Sequence, residues 1–247
     1  MKTNLVKRTA AGATISAMLM AMPGTAFAQT EPVDSTVTET DRSATLDGLK
    51  RRALETIDTR LDAIDRWTHR VETNEHLSDD HRSVLIAELN AAAGGLRSLA
   101  ADIEAATTYS ELGGLIPKIV EGYWVFALLG PKVHLVIAAN VMADINDRFD
   151  EVAASTQEAI ERVEAAGYDP VDARAALDRM LAHLTAASTL IDQVPGSVLH
   201  LRPADMPEAG EQLRSAQADL KSAAEELRAA QQAGRQAVEA IKDAIHR

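Results

Sequence analysis

The chain has 247 residues, with 25 basic against 37 acidic side chains, no cysteine and only 3% aromatic residues. The net charge of −12 disfavours nucleic acid and anionic lipid as partners, and the absence of cysteine excludes a disulfide scaffold and a thiol nucleophile. One domain is expected at this length. Few aromatics and many alanines point to thin, closely spaced helices, and no sustained alternation of apolar and polar residues supports strands.

The N-terminus reads as a secretory signal peptide over residues 1–28. Lys2, Lys7 and Arg8 form a basic head, an apolar run follows over 10–22, and Pro23-Gly24 leads to the small-residue pattern Ala26-Phe27-Ala28. Cleavage is expected after Ala28. It would remove three basic residues and no acidic one, leaving 22 basic against 37 acidic and a net charge of −15. Residues 29–42 are polar and lack an apolar period, so they read as a disordered spacer. Residues 43–247 are expected to form a single helical-bundle domain.

That domain opens with a hairpin over 43–106. Its first helix, over 43–71, carries Leu54, Ile57, Leu61, Ile64, Thr68 and Val71 at spacings of three and four. Ser78 reads as the N-cap of the second helix, with Asp79 and Asp80 in its first turn. Leu85, Leu89, Ala92, Leu96, Leu99 and Ile103 form the inward seam there. Gly94 and Gly95 interrupt that helix and remove side chains where another helix could approach.

The central helices occupy 110–193. A third helix is expected from Ser110, with Leu112, Leu115, Ile116, Ile119 and Val120 inward, and Gly130-Pro131 should end or kink it. A fourth helix would run from Pro131 to Ala166 with Val141, Ile145, Phe149, Val152, Ile160 and Val163 facing the core. Gly167 is placed as its C′ residue, and Asp169 with Pro170 reads as an N-cap followed by N1 of a fifth helix over 170–192. Residues 194–206 then form an irregular connection, pinned by Val198, Leu199 and Leu201. The terminal helix, 207–246, is expected to be capped by Asp205. Leu213, Leu220, Leu227, Gly234 and Ile241 fall at multiples of seven along it, flanked by Ala216, Ala223, Val238 and Ile245. That period is the coiled-coil signature. The fold class is therefore all-α: an elongated antiparallel helical bundle with an N-terminal helical hairpin and a long C-terminal coiled-coil-like helix.

The most apolar stretch of the domain is "GYWVFALLGPKVHLVIAAN" over 122–140. Glu121 and Lys132 bracket only ten uncharged residues, so a membrane span is not expected. Core is the expected role, with Lys132 keeping its head in water. A weaker alternative is a ligand pocket built from Tyr123, Trp124, Lys132 and His134, whose polar tips stand on an apolar wall.

The stretches "RVETNEHLSDDHRSVLIAELNAAAGGLRSLAADIEA", "YWVFALLGPKVHLVIAAN" and "AIERVEAAGYDPVDARAALDRM" resemble a group of secreted, Ala-rich all-helical proteins of actinobacteria and some other bacteria. In that group a "PKVHLVIAAD"-like segment follows a "YRVY"-like one. The resemblance covers roughly residues 46–245 and implies export and a helical fold, with no activity to transfer. Trp124 stands here for the usual arginine and Asn140 for the usual aspartate.

Candidate chemistry is sparse. His69, His76, His81, His134, His183, His200 and His246 show no metal-ligand spacing, although His76, Asp79, Asp80 and His81 cluster at the first hairpin turn. No nucleophile elbow or phosphate loop is present. An enzyme is not expected, and neither is a cofactor or a metal. Two function classes follow. One is a secreted or cell-envelope structural or interaction protein, with a protein or envelope partner or a second copy contacting the helix over 207–246. The other is a helical binding module with a small-molecule or metal site between Tyr123 and His134.

Overall fold

The computed structural model describes residues 39–246 except Pro207, with side chains described from Thr45 onward apart from residues 120–124 and Pro203. The expected signal peptide and the first ten residues of the expected spacer lie outside the described residues. Five α-helices follow: α1 (Glu39–Glu72), α2 (Asp79–Ala105), α3 (Tyr109–Ala165), α4 (Val171–Val198) and α5 (Glu208–His246), with a 3-10 turn at Pro203–Asp205 between the last two. No strand occurs among the described residues. The all-α bundle with an N-terminal hairpin and a long C-terminal helix is the observed fold.

Helix α3 is the spine. Its 57 residues make it about 86 Å long at 1.5 Å per residue. A capping box starts it: Thr108 Oγ1 accepts from the Glu111 N–H at 3.2 Å, and the Glu111 carboxylate accepts from the Thr107 and Thr108 N–H groups at 2.7 and 3.2 Å. The start thus lies one residue before the expected Ser110. The larger correction is at Gly130-Pro131, where one helix continues in place of two. Pro131 removes a backbone donor, a cost of about 3 kcal/mol in an exposed helix. Here Leu128, Leu129, Val133, Val136 and Ile137 are all buried on either side of it. Ending the helix would expose that apolar surface, so burial outweighs the lost bond.

Helices α1 and α2 pack on the first part of α3. Arg60 donates to the Ile119 carbonyl at 2.6 Å, Trp67 meets Phe126 with ring centroids 4.7 Å apart, and Arg70 Nη1 lies 3.2 Å from His134 Nδ1. Numbers rise together along these contacts, so α1 runs parallel to α3 and α2 antiparallel to both. Gly130 is where Trp67 approaches: a Cβ added there would lie 2.7 Å from the indole. Ser78 caps α2 as expected, its Oγ accepting from the His81 N–H at 3.3 Å. The α1 helix begins at Glu39, inside the stretch expected to be spacer.

Helices α4 and α5 pack on the later part of α3. A Schellman ending closes α3: Gly167, at φ 88°, donates to the Glu164 carbonyl at 2.8 Å and Tyr168 donates to that of Val163 at 3.2 Å. The expected cap of α4 is corrected by one residue. Pro170 is the N-cap, no side chain caps the helix, and the Asp169 carboxylate plays no part. The helix also runs through Pro195 to Val198 instead of stopping at Asp192, because Val194, Pro195 and Val198 are buried in its inward seam. Asp205 does not cap α5: its carboxylate turns back to the Arg202 N–H at 2.7 Å and closes the 3-10 turn.

Besides Ala176, Pro195 and Ala233, the buried positions fall at 173, 177, 180, 184, 187, 191, 194 and 198 in α4 and at 209, 216, 220, 223, 227, 230, 234 and 237 in α5. These sets share a seven-residue period, and α5 contributes an alanine at 209, 216, 223, 230 and 237. The helices are antiparallel, as His183 paired with Glu226 at 2.6 Å and Arg179 with Gln236 at 3.2 Å require. Gly234 is no gap in this seam. A Cβ there would sit 2.9 Å from Met180 Sδ, so the methionine fills the place. Val152, Val238 and Ile245, expected to pack inward or flank the seam, are 48%, 42% and 43% exposed.

Candidate functional site

Of the four residues of the expected pocket, Lys132 and His134 do not share one wall. Lys132 is 1% exposed, and its ammonium does not reach water as expected. It lies between the two Glu88 oxygens at 3.0 and 2.8 Å, with the Leu199 and Leu201 carbonyls at 3.2 and 2.9 Å. His134 is exposed and faces Arg70. Two residues along a helix turn through about 200°, which sends these side chains in opposite directions. Desolvation by the surrounding protein, then the Arg70 charge, push the His134 pKa below its ordinary value. The side chains of Tyr123 and Trp124 lie outside the described residues.

The histidines and acids of the first turn are likewise separated. His76 Nδ1 lies 3.3 Å from Asp144 of α3, which Arg148 also holds at 2.8 Å. Asp79 faces Arg82 at 3.9 Å. His81 Nδ1 sits 3.0 Å from the Asn140 amide nitrogen. Asn140 has a definite role: its Oδ1 accepts from the Ser78 N–H at 3.1 Å and its Nδ2 donates to the Val136 carbonyl at 2.8 Å. An aspartate there could not supply that donor. Among the described residues no three His, Asp or Glu side chains converge as metal ligands.

The concavity with the clearest chemistry lies between α2 and α3 and takes in Val125, Phe126 and Leu129 from the 123–134 stretch, but neither Lys132 nor His134. It holds about 600 Å³ and is lined by Ala91, Ala92, Gly95 and Ser98 on one wall and by Val125 and Phe126 on the other. Ile64, Leu96, Leu99 and Leu129 supply apolar surface, and Asp102 and Lys118 stand at the polar rim. A Cβ added at Gly94 or Gly95 would meet nothing within 4 Å. The sequence signal was the glycine pair itself, which removes side chains without any partner helix to fill the space.

Asp150 is a separate polar feature, its pKa raised by desolvation first and by Asp147 second. Its Oδ2 accepts from the Asn146 amide at 3.2 Å, and Asn146 Oδ1 is buried without a partner. Among the described residues no group of three His, Asp or Glu side chains forms here.

Two helical stretches, Asp79–Ala105 and Val125–Ala165, are long and apolar enough to cross a membrane by length and composition. The ten-residue window between Glu121 and Lys132 understates the second, because residues 133–143 carry no Asp, Glu, Lys or Arg. In the bundle these stretches turn Leu85, Leu89, Ile103, Val133 and Val136 into a buried core.

No protein-family model, no curated protein and no solved structure matches this chain.

Proposed function

We propose that the chain is exported and that its processed form is an extracytoplasmic helical interaction protein, holding an apolar helical segment of a partner protein in the groove between α2 and α3. The observation that carries this reading is the groove itself: an apolar floor, a wall of small residues at 91, 92, 95 and 98, and open space opposite Gly95. Small residues let a helix approach closely, and an amphipathic helix in an apolar groove is a recurrent mode of recognition. Asp102 and Lys118 would supply a polar rim. The signal-peptide pattern over 1–28 and the resemblance to secreted helical proteins support export, and the charge of the processed chain supports a soluble protein.

The terminal helix recedes as a contact surface in this reading. Leu220 and Leu227 of its seven-residue seam are buried within the same chain, so pairing with a second copy through that seam would first require α5 to leave α4. We read the α4–α5 pair as an internal antiparallel coiled coil that stiffens the later part of α3.

A photo-crosslinking side chain at position 95, compared with one at the exposed Val152, tests the groove. In the exporting cells a discrete protein adduct is expected from position 95 and not from 152, and it should vanish when Ser98→Trp fills the groove. Absence of an adduct at 95, or the same adduct from both positions, sinks the reading. Intact mass of the exported protein tests processing: material that retains residues 18–22 would refute cleavage after Ala28.

A further inference from the structure

The α1–α2 and α4–α5 hairpins pack chiefly against α3 and against themselves, rather than against each other. Lys132 joins them. Its Nζ contacts Glu88 of α2 and, at 3.2 and 2.9 Å, the carbonyls of Leu199 and Leu201 in the connection from α4 to α5. An ammonium carries three N–H donors, and four oxygens within 3.2 Å can accept them. The two carbonyls lie just beyond the C-terminus of α4, where helix carbonyls lack intrahelical donors and the helix dipole favours a cation. A methionine at 132 could supply neither the charge nor the donors, and removing one partner of a buried pair leaves the other uncompensated.

We infer that Lys132 is an interlock: it fastens the α4–α5 connection to α2 across α3 and makes the two hairpin sections unfold as one cooperative unit. Without it, each section keeps its own seams and is joined to the other through α3 and the apolar side chains packed around it. This inference is independent of what occupies the α2–α3 groove.

The two tryptophans, Trp67 and Trp124, both belong to the N-terminal section, and neither lies in α4 or α5. Their fluorescence therefore follows one section during urea unfolding, while far-ultraviolet circular dichroism follows the helices of both. The full processed chain should show coincident transitions. Lys132→Met should separate them, and hydrogen exchange over residues 199–205 should accelerate. Glu88→Gln, which keeps an acceptor but removes the counter-charge, should separate them less. Val133→Ala, a truncation of the buried neighbour, should lower both transitions together. Coincident transitions in Lys132→Met overturn the interlock, as does a wild-type chain whose transitions are already separate. If Lys132→Met does not fold, Glu88→Gln decides by the same criterion. Complete unfolding of both variants also counts against the inference, because unlocked sections should each remain folded.

Discussion

The two ends of α3 solve the same packing problem with opposite results. Near its C-terminal end, α4 and α5 meet along matched seven-residue seams that leave no opening at the small residues shown. Gly234 receives Met180, and the alanines at 216, 223, 230 and 237 are buried. Near its N-terminal end, α1 closes one side in the same way, with Trp67 lying on Gly130. The other side stays open: Gly94 and Gly95 face empty space. A glycine in a helix is therefore not informative alone. What stands opposite it decides whether it marks tight packing or an unfilled groove.

The closed region can be broken most severely through its large side chains. Leu227→Ala should destabilise the protein by about 2–5 kcal/mol, since Leu227 is 1% exposed and truncation leaves a cavity between α4 and α5. Chemical denaturation gives the value, and a loss under about 1 kcal/mol would mean that the seam relaxes around the missing side chain. Gly130→Ala should cost about 1–3 kcal/mol, because the new Cβ would meet the rigid Trp67 ring at 2.7 Å. A stabilised Gly130→Ala protein would show that Trp67 can move aside.

The open region should respond with the opposite sign. Gly95→Ala is expected to stabilise α2 by about 0.5–1 kcal/mol, because alanine favours the helix and its Cβ meets nothing within 4 Å. If it destabilises instead, the groove is closed in solution. Comparing Gly95→Ala with Gly130→Ala by thermal unfolding therefore reads the difference between the regions directly.

The smallest effect concerns the cap that begins α3. Backbone hydrogen bonding, first from the Thr107 N–H, holds the Glu111 pKa below its ordinary value. A depressed carboxylate contributes stability above its unfolded pKa, which is lost as pH falls through the lower folded value. Glu111→Gln should therefore lower the melting temperature slightly near neutral pH, and the difference from wild type should shrink as acid protonates the carboxylate. A constant difference across that range would remove the carboxylate from the cap.

How much was legible depended on whether a feature is local. The Ser78 cap, the Gly167 ending and the three-four seams are local, because side-chain periodicity and capping chemistry act within a few residues. By the same rule the sequence determined an all-helical chain, the first hairpin and, in the terminal helix, the burial of Ala216, Leu220, Ala223 and Leu227 but not of Val238 or Ile245. The breaks placed at Gly130-Pro131 and after Asp192 failed because proline's cost is local whereas the burial that outweighs it is not. The two-residue spacing of Lys132 and His134 sends them to opposite faces of a helix, but it does not name Glu88 or Arg70 as their partners. The partners come from 44 and 64 residues away in sequence. Only the tertiary structure decided those pairings, the filling of Gly234 by Met180 and the opening beside Gly95. Each depends on which element stands opposite a side chain, and packing between helices sets that, because periodicity within one helix carries no information about its neighbour's register.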